Sequence, residues 1–166
     1  MRKMMETTSN HQVFWVGIGC VRGTSRQVME RAIQQVFREN QLEESAIAGI
    51  TTINSKSQEV GLLELCHHRN LPLKTFPSNV LSKVFVPNPS KVVGKEVGTP
   101  SVAEAAALCA AFDSTFLKSF QKGEMTEGFG VRLVVAKQIF RLDGQPGVVT
   151  VAVAQAEKEC TVNTLT

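Results

Sequence analysis

"VGIGCVRGTS" (residues 16–25) carries three glycines, an arginine between the second and third, and two hydroxyl residues at its end. The apolar run "VFWVGI" (13–18) leads into it, and a short apolar run ending in glycine suits a buried strand. Past Thr24 the period changes. Val28, Met29, Ala32, Ile33, Val36 and Phe37 fall on one helical stripe, with Arg26, Glu30, Arg31, Gln34 and Arg38 on the opposite face. Thr24 or Ser25 is the natural N-cap, because a short hydroxyl side chain can accept from the unpaired amides of a first turn. Strand, glycine turn, amphipathic helix is the opening unit of an α/β sheet.

The alternation continues outward. "IAGITTI" (47–53) reads as a second strand, "NSKSQEV" (54–60) as a polar loop, "GLLELCHHRN" (61–70) as a second helix and "LKTF" (73–76) as a third strand. Ser78 can cap a short helix over "NVLSKV", and Asn88, with Pro89 at the first position, another reaching about Val97. "TPSVAEAAALCAAF" (99–112) is a strong alanine-rich helix with two possible caps, Thr99 before Pro100 or a capping box from Ser101 to Glu104. Residues 113–130 read as an irregular connection. "VRLVVAKQIF" (131–140) and "GVVTVAVAQ" (147–155) form an antiparallel hairpin whose turn Asp143-Gly144 marks. The fold class is α/β: a three-layer sandwich around a mixed sheet of about five strands, parallel in its first half and closed by the antiparallel hairpin. One domain is expected over 13–155, with disordered ends at 1–12 and 156–166.

Composition narrows the function classes. A net charge of +3 without a dense basic block excludes an ordinary nucleic-acid binder, and no run reaches the ~18 apolar residues of a membrane helix. The start "MRKMMETTSNHQ" has no apolar segment of the secretory type. Cys20, Cys66, Cys109 and Cys160 are scattered without CxxC spacing, so reduced thiols in a cytoplasmic protein are expected.

A glycine loop between strand and helix can turn backbone N–H groups toward an anion, with the helix N-terminus adding partial positive charge. Arg22 would add a charged fork, and Thr24 and Ser25 hydroxyl donors. The spacing GxGxxxG (Gly17, Gly19, Gly23) is not the dinucleotide fingerprint. The second strand is followed by Asn54 rather than an acidic residue, and no GK[ST] follows the loop. Anion binding and a plain tight turn both remain open on pattern alone. Cys66, His67 and His68 are adjacent on a helix, where neighbours point about 100° apart, so they cannot converge on a metal; none is expected. Cys20 lies near a helix start but lacks a histidine placed to serve it, so packing is the simpler role. No GxSxG elbow exists. Lys137 inside an apolar strand reads as an edge residue or one reaching into a site.

"GIGCVRGTS", "TTINSKSQEVGLLEL", "PNPS" and "VGTPSVAEAAAL" occur in that order. Together they resemble the C-terminal domain of the cobalamin-biosynthesis CbiG family, a domain also found alone as CobE, over about Val13 to Ala154. The resemblance implies an α/β fold and work on corrin intermediates. CbiG proteins open a lactone of cobalt-precorrin-5A and release acetaldehyde; CobE is tied to the aerobic pathway. By position, the resemblance assigns substrate binding to Gly17, Gly19, Cys20, Arg22, Gly23 and Thr24, with Ser25 beside them. It extends that role to Lys56 after the second strand, and to Gly98, Thr99 and Ser101 at the late helix. Lys137 joins them from the residue reading. Asn54 stands where the family usually has an acid.

Three functions follow. The first is a CobE-like protein binding a carboxylate-rich precorrin, for which a glycine loop with an arginine is a suitable receptor. The second is a lactone hydrolase with Glu104 or Glu59 as general base and loop amides as oxyanion donors. With only about twelve residues before the first strand, that activity is expected to need the further N-terminal part of CbiG. The third is an interaction module for another pathway enzyme. No cofactor is expected, and a homodimer is compatible with the sequence.

Overall fold

The computed structural model describes residues 13–84, 101–121 and 131–156. The elements are β1 (Phe14–Cys20), α1 (Arg26–Glu39), β2 (Ile47–Ile53), α2 (Val60–Arg69), β3 (Leu73–Phe76), the short α3 (Ser78–Leu81), α4 (Val102–Gln121), β4 (Val131–Phe140) and β5 (Val149–Ala156). Single 3-10 turns at Glu44–Ala46 and Asn54–Lys56 flank β2. The strands form one sheet in the order β3-β2-β1-β5-β4. β1, β2 and β3 are parallel. β5 runs antiparallel to both β1 and β4, with Gly17 opposite Ala152 and Cys20 opposite Val149.

Strand alternation sends β1 side chains to two different layers. Phe14, Val16 and Ile18 meet Val149, Val151 and Val153 of β5 under the apolar stripes of α1 and α2, including Met29, Ile33, Phe37, Leu62 and Leu65. The Phe14 and Phe37 rings meet edge to face, 5.7 Å between centroids. Burying each of these large side chains contributes about 1.5–3 kcal/mol. On the other face Trp15 and Ala154 pack against Ala107, Leu108, Ala110 and Ala111 of α4. The three-layer arrangement and the mixed five-stranded sheet are as the sequence predicts.

The alanines of α4 let the helix backbone lie directly on the strand. A Cβ at Gly17 would fall on the carbonyl oxygen of Ala103, and one at Gly49 would enter the Trp15 ring. Buried threonines complete the contact: Thr51 Oγ1 donates to the Ala106 carbonyl at 3.4 Å and Thr52 Oγ1 to the Ile18 carbonyl at 2.6 Å. On the opposite face Arg69 joins α2 to α1 and to the Glu44 turn, through Glu30 at 2.9 Å and Glu44 at 3.0 Å.

One local expectation is revised and two are refined. α4 continues to Gln121, past the expected break at Asp113. "DST" (113–115) suggests a break because its short polar side chains compete for backbone partners. No glycine or proline lies between 102 and 121 to enforce one. The cap of α4 is Ser101, whose Oγ accepts the Glu104 N–H at 3.0 Å. The hairpin connection turns at Asp143-Gly144 as expected, with the Gln145 N–H on the Leu142 carbonyl at 3.0 Å, but it runs on to residue 148, with both Gly144 and Gly147 at positive φ. The expected helix after Asn88, the Thr99 cap and the ends 1–12 and 157–166 lie outside the described residues, while Ala156, expected in the disordered tail, is the last residue of β5. Among the described residues no helix is long and apolar enough to cross a membrane.

Gly17→Ala is expected to destabilise the fold by ~1–3 kcal/mol, the cost of overpacking against a backbone atom that cannot yield. Urea unfolding of the variant checks this; an unchanged midpoint would show that α4 can lift from β1.

Candidate functional site

The loop after β1, residues 21–25, is tied on one side to the connection before β5. Thr24 is 2% exposed. Its hydroxyl donates to the Val21 carbonyl at 2.7 Å, lies 3.1 Å from the Val148 carbonyl and accepts the Val148 N–H at 3.2 Å. Val21 N–H donates to the Val148 carbonyl, Ser25 N–H to Pro146 and Thr24 N–H back to Val21. Gly147, at φ +102, is the residue that can pass there, since a Cβ would collide with Thr24. Ser25 is the N-cap of α1, accepting the Val28 N–H at 3.3 Å while its Oγ donates to Gln145 Oε1 at 3.1 Å.

On the other side the loop meets the start of α2. Gly61 sits so close that a Cβ would strike the Thr24 carbonyl. Glu59 precedes the helix and turns its side chain away from the cap, so that Oε1 accepts the Gly23 N–H at 3.2 Å. Gly23 itself is exposed at φ +83. Cys20 lies within electrostatic range of both Lys56 and Glu59. Burial pushes its thiol up, Lys56 lowers it and Glu59 raises it. Cys20 is partly buried and packs against the core.

The N-terminus of α4 comes to the same edge from the opposite layer. Gly19 faces Val102, at 3.8 Å from a Cβ built on the glycine. Glu104, expected to close a capping box, instead sends Oε2 to the Lys137 N–H at 2.9 Å. β4 is bulged there, with Val135 opposite Val153 but Gln138 opposite Val151. Lys137 is exposed on this edge strand, as the edge reading has it.

The structure therefore gathers Cys20, Arg22, Gly23, Thr24, Ser25, Lys56 and Glu59 around one loop, with Gly19 against the start of α4. Gly98 and Thr99 lie outside the described residues. The loop differs from the expected receptor in one respect. The amides of Val21, Gly23, Thr24 and Ser25 are all engaged within the protein, and Thr24's hydroxyl is buried in the loop-to-hairpin junction. Among the side chains, Arg22 is exposed with no ion-pair partner among the described residues, and Lys56 is half-buried and likewise without an ion pair. Val21 and Val60 are exposed beside them. Gln145, Pro146 and Gly147 were not singled out from the sequence; only the placement of β5 beside β1 brings them here.

No group of three or more His, Cys, Asp and Glu suited to a metal occurs among the described residues. Cys66 packs in the core, its thiol pushed up to about 11 by burial, while His67 and His68 are exposed. Cys20, Cys66 and Cys109 are free thiols. A shallow hollow lined by Gln34, Arg38, Leu42, Glu43, Glu44 and Ser45 lies at the far end of α1 and holds none of the gathered residues.

The family model described as Cobalamin synthesis G C-terminus matches residues 14–154. A cobalt-precorrin-5A hydrolase of Priestia megaterium is 31% identical over 97 residues. That match takes 58% of this chain but 26% of the relative, so the chain spans about a quarter of its length. The crystal structure of cobalamin biosynthesis protein chiG from Agrobacterium tumefaciens has a TM-score of 0.59 at 27% identity, covering 88% of this chain and all of that one. CobE, a protein from the cobalamin biosynthetic pathway, gives 0.59 at 25% identity, covering 88% of this chain and 95% of its own.

Two outcomes test this geometry. Thr24→Val keeps the shape but removes the hydroxyl, and is expected to cost about 1–3 kcal/mol because buried main-chain groups lose their partner; thermal and urea unfolding read it. For Cys20, the thiolate fraction at pH 8 should rise in Glu59→Gln and fall in Lys56→Ala, since a carboxylate opposes and an ammonium favours the charged form. The rate of disulfide-reagent labelling, referenced to the same variants carrying Cys20→Ser, measures it. Equal rates in all three would separate Cys20 from these charges.

Proposed function

The chain belongs to the cobalamin synthesis G C-terminus family, and from that premise we propose that it binds a carboxylate-rich precorrin intermediate, as a CobE-like protein, at the edge where the loop after β1 meets the starts of α1, α2 and α4. The observation that carries this reading is Arg22: exposed, unpaired among the described residues, and placed on the glycine loop with Lys56 nearby. Precorrins bear acetate and propionate arms around an apolar ring. A guanidinium fork matches a carboxylate bidentately, and helix N-termini add partial positive charge. Exposed Val21 and Val60 offer apolar surface for the macrocycle beside those charges. The proposal includes a cytoplasmic location, supported by free thiols at Cys20, Cys66 and Cys109.

A second reading, lactone hydrolysis, is favoured by the hydrolase relative. Glu104 would be its base: its carboxylate is half-exposed and oriented by the Lys137 N–H at the start of α4. The loop amides at 21, 24 and 25 do not serve as oxyanion donors in that reading, because main-chain carbonyls hold them.

Arg22→Ala is expected to weaken binding of a polycarboxylate porphyrin by ~1–3 kcal/mol at fixed salt, the range for a charge-assisted hydrogen bond, with little change in unfolding midpoint, because a solvated arginine adds little to the fold. Arg22→Lys should recover part of the affinity, keeping charge without the planar fork. Titration by fluorescence quenching measures both, and parent-like binding by Arg22→Ala would overturn the anion-receptor reading.

A further inference from the structure

We infer that the Glu59 carboxylate is a built-in occupant of the glycine loop, displaced from the Gly23 N–H when a ligand carboxylate arrives; the inference rests on the binding reading above and concerns how that site is regulated. Of the loop amides, Val21, Thr24 and Ser25 donate to main-chain carbonyls, which cannot withdraw without unmaking the loop. Gly23 donates to a side chain, 36 residues away in sequence, which can rotate off. Around Gly23 the space is open: a Cβ built there meets no atom within 4 Å. Gly23 is exposed, so once the Glu59 carboxylate has rotated off, a ligand carboxylate can take its place on the amide.

Glu59 is also free to move without disturbing α2. Its main-chain carbonyl, not its side chain, accepts the first amides of the helix, from Leu62 at 3.1 Å and Leu63 at 3.0 Å, and its side chain makes no cap bond. Swinging the carboxylate away breaks one hydrogen bond and leaves the helix start intact. Glu59 and Lys56, on the preceding turn, both lie within electrostatic range of the Cys20 thiol at the end of β1.

This arrangement selects for multiply charged ligands. A single carboxylate gains little at Gly23, because it only replaces one that is already there. A ligand with several arms can occupy Gly23 with one and engage Arg22 and Lys56 with others, which offsets the displaced bond. Glu59 thereby acts as a specificity-determining residue through competition, not as the general base.

The experiment uses the full chain as parent, Glu59→Ala and Glu59→Gln, labelled with 15N. The Gly23 amide resonance is followed during titration with acetate, and each protein is titrated separately with a polycarboxylate porphyrin. In Glu59→Ala the Gly23 amide is expected to respond to acetate at roughly three- to tenfold lower concentration than in the parent, the equivalent of one hydrogen bond. Glu59→Gln, which keeps an acceptor but no charge, should fall between them, and it serves the same test if Glu59→Ala does not fold. A Gly23 amide that answers acetate no better in either variant than in the parent overturns the inference. The porphyrin arm separates the two layers of argument. An acetate gain with no porphyrin binding by the parent leaves Glu59 as occupant but removes the precorrin reading; porphyrin binding without an acetate gain does the reverse.

Discussion

The buried hydroxyl of Thr24 is the joint on which the site depends. It lies where the chain leaves the central strand β1 and where it returns to form β5, and it bonds to the main chain of both segments. A buried threonine hydroxyl with its donor and acceptor capacity used is stable; one left unpaired would cost about as much as the bonds it now makes. With Thr24 fixed, Gly23 must turn through positive φ, Arg22 is carried outward, and Ser25 is delivered to the first turn of α1.

Close backbone approach brings the rest of the edge to this joint. Gly61 lets the start of α2 touch the Thr24 carbonyl, and Gly17 lets α4 lie on β1, so helix starts from both outer layers converge beyond the same strand ends. Each approach is possible because a side chain is missing, and each would be lost to a single methyl group. Glu104 adds a tie from α4 to the bulged segment of β4, which keeps that helix start against the sheet although β4 is an edge strand.

The electrostatic character of the edge follows from what these ties use up. Of the backbone amides in the loop, those of Val21 and Ser25 hold the hairpin connection, that of Thr24 closes back on Val21 and that of Gly23 holds Glu59. Arg22 and Lys56 bring positive charge to this edge with no ion-pair partner among the described residues. The likeness to CobE and to chiG covers 88% of this chain in each case.

Sequence alone determined the strand-helix alternation, the apolar stripe of α1, the parallel first half and the antiparallel close, because hydrophobic period, caps and turn residues are local properties. It also carried the family, through four ordered motifs. It singled out the loop after β1, where Arg22 is exposed. It did not contain the length of α4, where three short polar residues imitate a stop that the uninterrupted helix overrides. Nor could it reveal that β5 inserts beside β1. That long-range choice sets Pro146, Gly147 and Val148 against Thr24 and takes the Val21 and Ser25 amides out of use, while the approach of the start of α2 to the same loop places Glu59 on Gly23. Such contacts join residues 36 to 124 positions apart, and only the tertiary structure decides them, because each depends on packing between layers rather than on the neighbours along the chain.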